Sequence, residues 1–171
     1  MKKMLLALSM SIIILSLCAC AASVVNTKSA NLNRSSSYLI YPFKNFTQTP
    51  DAGLRVASIL YGVLLSKNFK VAASSTLGPG NGEVNAAETL AGMLQEAKNN
   101  GFKFIITGNV NEFRYKTGIN GEPAVSVTVL VYDSKNGEVI WSSTGSATGW
   151  SSQSRTTVAQ KLLNKIIVTT K

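Results

Sequence analysis

The hydrophobic positions along the chain divide it into three parts. Residues 4–17 form an apolar run broken only by three serines, and a basic start precedes this run. Residues 21–37 are small and polar, with few large apolar side chains, which is typical of a flexible tether. From residue 38 onward, apolar positions recur with strand and helix periods, which predicts one folded domain over 38–171.

The first half of this domain is predicted to alternate strands with helices. A short apolar run over 38–43 indicates a buried strand that ends near Pro42. Thr49 is suited to the N-cap of the next helix and Pro50 to its first position. The apolar face of that helix recurs at helical spacing and comprises Ala52, Val56, Ile59, Leu60, Val63 and Leu64. A second short strand is predicted over 69–73.

A second helix is predicted to open at Asn85, with Glu88 three residues later in the spacing of a capping box. Gly101 is suited to the left-handed residue that closes such a helix. The predicted buried stripe of this helix is Leu90, Met93, Leu94 and Ala97.

The second half of the domain is predicted to be a β-meander followed by a helix. Strands are expected over 102–115, 123–133 and 139–148, joined by loops that contain Asn-Gly pairs. On the first of these strands, Phe102, Phe104, Ile106 and Val110 are expected to share a face, and Gly108 indicates a bulge or a close approach. A closing helix over 152–169 turns Val158, Leu162 and Ile166 inward, with Leu163 and Ile167 as further core candidates.

The resulting order is β-α-β-α-β-β-β-α, which predicts an α+β fold, an α/β sandwich. Its mixed sheet has an antiparallel C-terminal meander, and helices pack on it.

The two cysteines lie together at the end of the N-terminal apolar run. Ala19 supplies the small residue that precedes an acylated cysteine, whereas cleavage before Cys18 would put the bulky Leu17 in that position. The pattern therefore predicts a lipoprotein signal peptide over 1–19, a lipid on Cys20 and a tether over 20–37. The alternative is an ordinary cleaved signal, with both cysteines incidental.

The chain is basic, and its charge narrows the range of partners. Its formal net charge is +9, and removal of Lys2 and Lys3 with the signal peptide lowers this to +7. The remaining basic residues are scattered rather than clustered, and an exported chain rarely meets nucleic acid. Anionic lipid head groups are therefore the expected partner of this charge, and no nucleic acid is expected.

The residue types provide little for catalysis. The chain has no histidine, which removes the commonest general base and the usual metal ligand. Glu112 and Glu122 flank one loop and are the best candidate pair for glycoside hydrolysis, although surface carboxylates fit the same pattern. We therefore expect a protein that is not an enzyme, with no catalytic residues, no metal site and no cofactor.

The two tryptophans differ in context. Trp141 lies within a predicted strand and is expected in the core. Trp150 lies where a strand gives way to a helix, so it is either a core plug or a side chain at a membrane interface.

Several segments together resemble the PelC family, the outer-membrane lipoproteins of the Pel exopolysaccharide export system. They are 41–53 (YPFKNFTQTPDAG), 107–125 (TGNVNEFRYKTGINGEPAV), 137–141 (GEVIW), Gly145, 149–151 (GWS) and 158–161 (VAQK). The combination of 115–125 with the later GWS is the most specific of these features, and the resemblance extends over nearly the whole domain.

The resemblance implies a lipid-anchored protein that faces the periplasm at the inner leaflet of the outer membrane. It would form a homo-oligomeric ring, of twelve subunits in known cases, beneath a PelB-like porin. That ring is thought to guide a cationic exopolysaccharide through an acidic lumen, which puts Glu122, Asn120 and Glu112 forward as polymer-path residues. An aspartate is expected more often at position 120. Trp150 would contact the leaflet, with Arg155 near lipid phosphates.

Two alternative functions remain at this stage. One is an LpoB-like or CsgG-like lipoprotein that acts as an activator or a secretion component. The other is a periplasmic carbohydrate-active enzyme, which measured glycan turnover would reveal.

Overall fold

The computed structural model describes residues 23–28, 32–77, 89–118 and 121–168. The predicted signal peptide, Cys20, Asn120 and the predicted capping residues Asn85 and Glu88 lie outside the described residues.

The described residues form one mixed sheet with helices on both of its faces. The strands are β1 Ser23–Lys28, β2 Ser37–Ile40, β3 Lys44–Asn45, β4 Lys70–Ala73, β5 Phe104–Tyr115, β6 Pro123–Asp133 and β7 Val139–Thr148. The helices are α1 Ala52–Ser66, α2 Leu90–Asn99 and α3 Arg155–Val168, with a short 3-10 turn at Ser75–Leu77.

The strand order across the sheet is β1-β7-β6-β5-β2-β4, and β3 continues beside β5. β5, β6 and β7 pair antiparallel, whereas β2 runs parallel to both β4 and β5. The predicted α+β fold with an antiparallel meander is therefore confirmed.

The main core lies between the sheet and the helices α1 and α3. Alternate side chains of β6 point into it, because successive residues of a strand face opposite sides of a sheet. The four valines of that strand are all buried there: Val125, Val127, Val129 and Val131. α3 contributes its predicted inward side chains, Val158, Leu162, Leu163, Ile166 and Ile167. Trp141 is 1% exposed, which confirms its core position.

α2 packs on the opposite face of the sheet over a smaller cluster. Ala97 is buried there against Leu39, Tyr41 and Ile105, and Met93 and Leu94 are partly buried beside them. Leu90 is 40% exposed, so its predicted burial is wrong. The described helix begins at Leu90 with Thr89 as its N-cap, four residues after the predicted opening at Asn85. The Thr89 hydroxyl accepts a hydrogen bond from the Gly92 N–H, and this bond defines the cap (3.3 Å).

The prediction of a flexible tether over 20–37 is wrong for β1. Ser23–Lys28 pairs antiparallel with the outer edge of β7. The backbone of an edge strand offers unpaired N–H and C=O groups, so pairing of this kind depends little on side-chain pattern. Val24 packs against the main core. A single buried side chain does not produce a recurring hydrophobic pattern in the sequence.

The start of α1 also differs from its prediction. The N-cap is Asp51 in the left-handed region, with φ 56°, and its side chain makes no cap hydrogen bond. The Thr49 hydroxyl was expected to cap the helix. It instead donates to the carbonyl of Phe113, a residue far away in the sequence, at 2.5 Å.

β5 agrees with its prediction at Gly108 and differs from it at its start. Gly108 marks a close approach, because a Cβ atom there would overlap the Thr128 carbonyl. The irregularity in its pairing with β6 lies further on, between Val110 and Glu112. Phe102 precedes the strand and packs on the α2 side, whereas Phe104 lies in the main core, so the shared face predicted for them is wrong.

Candidate functional site

Several of the predicted site residues meet at one end of the sheet. β5 ends at Tyr115, opposite Pro123 at the start of β6. The Gly149 N–H, just after β7, donates to the Pro123 carbonyl at 2.8 Å. Across the connecting hairpin, the Lys116 N–H donates to the Glu122 carbonyl at 2.7 Å. We call this the hairpin end of the sheet, and it brings Glu122 close to the segment that carries Trp150.

Trp150 is turned toward solvent on a closed turn. Its side chain is 59% exposed, which excludes the core-plug alternative. The Gln153 N–H donates to the Trp150 carbonyl at 2.9 Å, and the Trp150 N–H donates to Oε1 of Gln153 at 3.1 Å. Two hydrogen bonds between the same pair of residues restrain the backbone at Trp150, so the turn itself holds the indole outward.

Gly149 allows this turn to pack closely. A Cβ atom there would lie 2.5 Å from Cγ2 of Val158 and 2.6 Å from Oε1 of Gln153. These distances are shorter than carbon atoms tolerate, so any side chain would displace the groups that fix the turn. The glycine before Trp150 is therefore a packing requirement.

Arg155 is directed into the protein rather than away from it. Its guanidinium is half-buried and lies over the rings of Phe113 and Tyr115, 5.3 Å and 5.1 Å from their centroids. Its Nη1 donates to the Thr49 hydroxyl at 3.1 Å and to the Phe113 carbonyl at 3.4 Å. Arg155 is the first residue of α3, so these contacts hold the start of that helix against the end of β5.

The roles of the residues that organise this end were not predicted from the sequence. Gln153 and Gly149 shape the turn, while Thr49 and the two β5 aromatics receive Arg155. The Gly-Trp-Ser segment was the only available signal for the turn. Nothing in the local pattern could reveal Thr49 or Phe113 as partners of Arg155, since all three come from distant parts of the chain.

The candidate carboxylates occupy different settings. Glu112 accepts a hydrogen bond from Nε of Arg114 at 2.9 Å, which largely offsets its charge locally. Glu122 is half-buried beside Pro123, on the hairpin opposite Lys116. The strand pairing sets Glu112 opposite Ser126, so the backbone positions of the two glutamates lie about 13 Å apart along the strand direction. This arrangement does not favour a pair of carboxylates across one glycosidic bond.

Two further features bear on the class of protein. Within the described ranges, no three His, Cys, Asp or Glu side chains gather as a potential metal site. No helix among the same residues is both long and apolar enough to cross a membrane.

Solved structures identify the family of this chain. A PelC dodecamer from Paraburkholderia phytofirmans matches with 32% identity and a TM-score of 0.72, over 86% of this chain and 95% of that chain. The chain belongs to the PelC family. A second PelC dodecamer structure, of a substituted variant from the same organism, matches with 32% identity and a TM-score of 0.71, over 86% of this chain and 96% of that one.

A more distant match shows how widely the fold occurs. A lipoprotein from Neisseria meningitidis shares 16% identity with this PelC-family chain at a TM-score of 0.59, over 78% of this chain and 96% of the other. At this identity the likeness extends to the fold alone. No protein-family model and no curated protein sequence matches the chain.

Proposed function

We propose that this PelC-family protein is a lipid-anchored subunit of a ring at the outer membrane. The ring would assist export of a cationic Pel-type exopolysaccharide toward a PelB-like porin. The observation that carries this proposal is the match of almost the whole domain to a PelC dodecamer, at 32% identity.

The ring follows from the same relatives, which are dodecamers. A cyclic assembly needs two different complementary patches on each subunit. Large apolar side chains remain exposed outside both core clusters and are candidates for such patches: Phe46, Leu65 and Leu90.

The membrane attachment combines a lipid with an aromatic side chain. Cys20 carries the lipid, and Ala21 and Ala22 follow it without the aspartate that would retain the protein at the inner membrane. The exposed indole of Trp150 meets the inner leaflet, where an aromatic ring can enter the acyl chains while its N–H stays hydrated. Arg155 donates hydrogen bonds to Thr49 and Phe113 at this end, and it is a candidate cation for lipid phosphates.

The polymer path is assigned to the hairpin between β5 and β6. Glu122 is its leading carboxylate, because Glu112 already pairs with Arg114. Carboxylates attract the amino groups of a cationic polymer without any catalysis. Asn120 belongs to the same hairpin in sequence. The mature chain is basic, so any acidic character of the lumen has to be local.

The mass of the assembly tests the proposal most directly. We expect the lipidated protein, extracted in mild detergent, to have the mass of a closed oligomer, with twelve subunits as the expected number. Cys20→Ser should abolish acylation, whereas the matched Cys18→Ser variant should be processed normally. A strictly monomeric lipidated protein, or unimpaired polymer export in a strain that lacks it, would contradict the proposal.

A further inference from the structure

The direction of β1 determines which end of the sheet lies near the start of that strand. It runs antiparallel to β7, with Ser23 opposite Ser146 and Val25 opposite Thr144. Ser146 lies four residues before Trp150 in the sequence, and Lys28 pairs further from that end, opposite Ser142. The start of β1 therefore lies toward the end of the sheet that carries Trp150.

β1 is held in this position by packing as well as by pairing. Val24 lies against the main core, opposite Gly145. A Cβ atom at Gly145 would lie 2.9 Å from Cδ1 of Leu162 and 3.3 Å from the Ser23 carbonyl. The glycine therefore lets α3 and β1 approach β7 closely. The neighbouring Val25 points to the other side and is 59% exposed.

The distance from the proposed lipid to this strand is short. Cys20 precedes Ser23 by three residues, and three extended residues span at most about 11 Å. A lipid on Cys20 thus has to emerge near the hairpin end, on the same side of the domain as the exposed indole.

We infer that β1 orients the whole domain on the bilayer and makes the hairpin end its lipid-facing end. This inference rests on the proposed lipid anchor and on the proposed membrane contact of Trp150. A freely tethered domain would sample all orientations, because a flexible linker imposes only a distance. When β1 is docked on the sheet, the lipid and the indole are instead two membrane contacts on one rigid body. The two contacts then reinforce each other in the same plane.

A consequence concerns the hairpin itself. Because Gly149 bonds to Pro123, Glu122 lies at this lipid-facing end of each subunit. In a ring of oriented subunits, the carboxylates would then gather at the level nearest the porin.

The experiment measures the depth of Trp150 in lipidated protein reconstituted into vesicles. The vesicles contain phosphatidylethanolamine and phosphatidylglycerol with brominated acyl chains, which quench a nearby indole. Trp141→Phe removes the other tryptophan, so the emission reports Trp150 alone. Val24→Asp introduces a charge where β1 packs on the core, and Val25→Asp introduces the same charge on its exposed side.

We expect Val24→Asp to lose at least half of the quenching while it remains bound through its lipid, and Val25→Asp to keep nearly all of it. A second variant, with six Gly/Ser residues inserted between Cys20 and Ser23, lengthens the link without touching the packed strand. It should also lose at least half of the quenching.

The outcomes separate the inference from the proposed function. Full quenching in Val24→Asp and in the insertion variant would overturn the orienting action of β1, while the membrane contact of Trp150 would stand. No quenching in the Trp141→Phe protein itself, with the lipid attached, would overturn that membrane contact and the inference with it.

Discussion

At the residue scale, the two tryptophans have opposite environments. Trp141 is buried in the main core, whereas Trp150 lies on a turn and is 59% exposed. Trp141 lies near the start of β7 and Trp150 on the turn beyond its other end, so one residue type can be compared in two environments within the same domain.

We expect Trp141→Ala to lower the free energy of unfolding by about 3–5 kcal/mol, as for other large buried aromatics. Trp150→Ala should change it by less than about 0.5 kcal/mol, because little packing is lost at an exposed position. Denaturant unfolding of the domain measures both values. If Trp150→Ala costs as much as Trp141→Ala, the indole is buried and the proposed membrane contact loses its basis.

Tyr38 predicts a dependence of stability on alkaline pH. Burial raises the pKa of this tyrosine from 10.0 to about 12, because the phenolate would lose its hydration. Between these two pKa values the unfolded chain releases a proton that the folded chain retains, so the free energy of unfolding falls as pH rises. Below pH 10 this contribution is fully present.

Tyr38→Phe removes this titration and should flatten the loss of stability between pH 10 and 12. It also removes the hydrogen bond from the hydroxyl to the Asn33 carbonyl, at a cost of about 1 kcal/mol at neutral pH. Thermal unfolding across the pH range provides the measurement. The pKa of Tyr132 is raised by burial too and acts equally in both proteins, so an unchanged slope would mean that Tyr38 does not titrate as described.

At the scale of elements, α1 contains two glycines with opposite surroundings. A Cβ atom at Gly53 would overlap the carbonyl of Phe43, because the helix start packs directly on that backbone. A Cβ atom at Gly62 meets nothing within 4 Å. The same substitution in the same helix should therefore have opposite effects.

We expect Gly62→Ala to stabilise the domain by about 0.5–1 kcal/mol, since alanine favours the helix and glycine costs more chain entropy. Gly53→Ala should destabilise it by about 1–3 kcal/mol, as forced overpacking does. Calorimetry of the two variants would decide the matter. Changes of the same sign would show that the close packing of α1 on Phe43 is not maintained.

The success of prediction varied between elements for a physical reason. The strands of the meander came close to their true bounds because every second residue of β6 and many of β5 are buried, and that alternation is visible in the sequence. β1, β3 and the start of α1 are held by backbone pairing and by the hydroxyl of Thr49. Such contacts involve partners far away in the chain and leave no local period.

At the scale of the whole molecule, the proposed polymer path depends on one carboxylate in each subunit. Glu122→Gln keeps the shape of the side chain and removes its charge, so it should reduce polymer export without unfolding the domain or dissociating the ring. Glu112→Gln is the matched control, because Glu112 already pairs with Arg114. Secreted polymer in a complemented deletion strain is the readout. Equal export in the wild type and the Glu122→Gln variant would remove Glu122 from the path.

The sequence alone was enough to predict much of the fold of this protein and its family. The residues predicted the α+β class, the strands of the meander, the core stripes of α1 and α3 and, through several combined segments, the PelC family. These features are encoded in the spacing of hydrophobic residues over short ranges and in sequence motifs. Both are visible without the tertiary structure.

Only the tertiary structure decided how the candidate site is assembled. It turned Trp150 outward on the turn closed by Gln153 and drew Arg155 inward over Phe113 and Tyr115. It also brought Pro123, the residue after Glu122, against Gly149. It also docked β1 on β7, where the sequence indicated a tether. Each of these outcomes depends on contacts between segments far apart in the chain. A local sequence pattern does not indicate which distant segment its residues will contact.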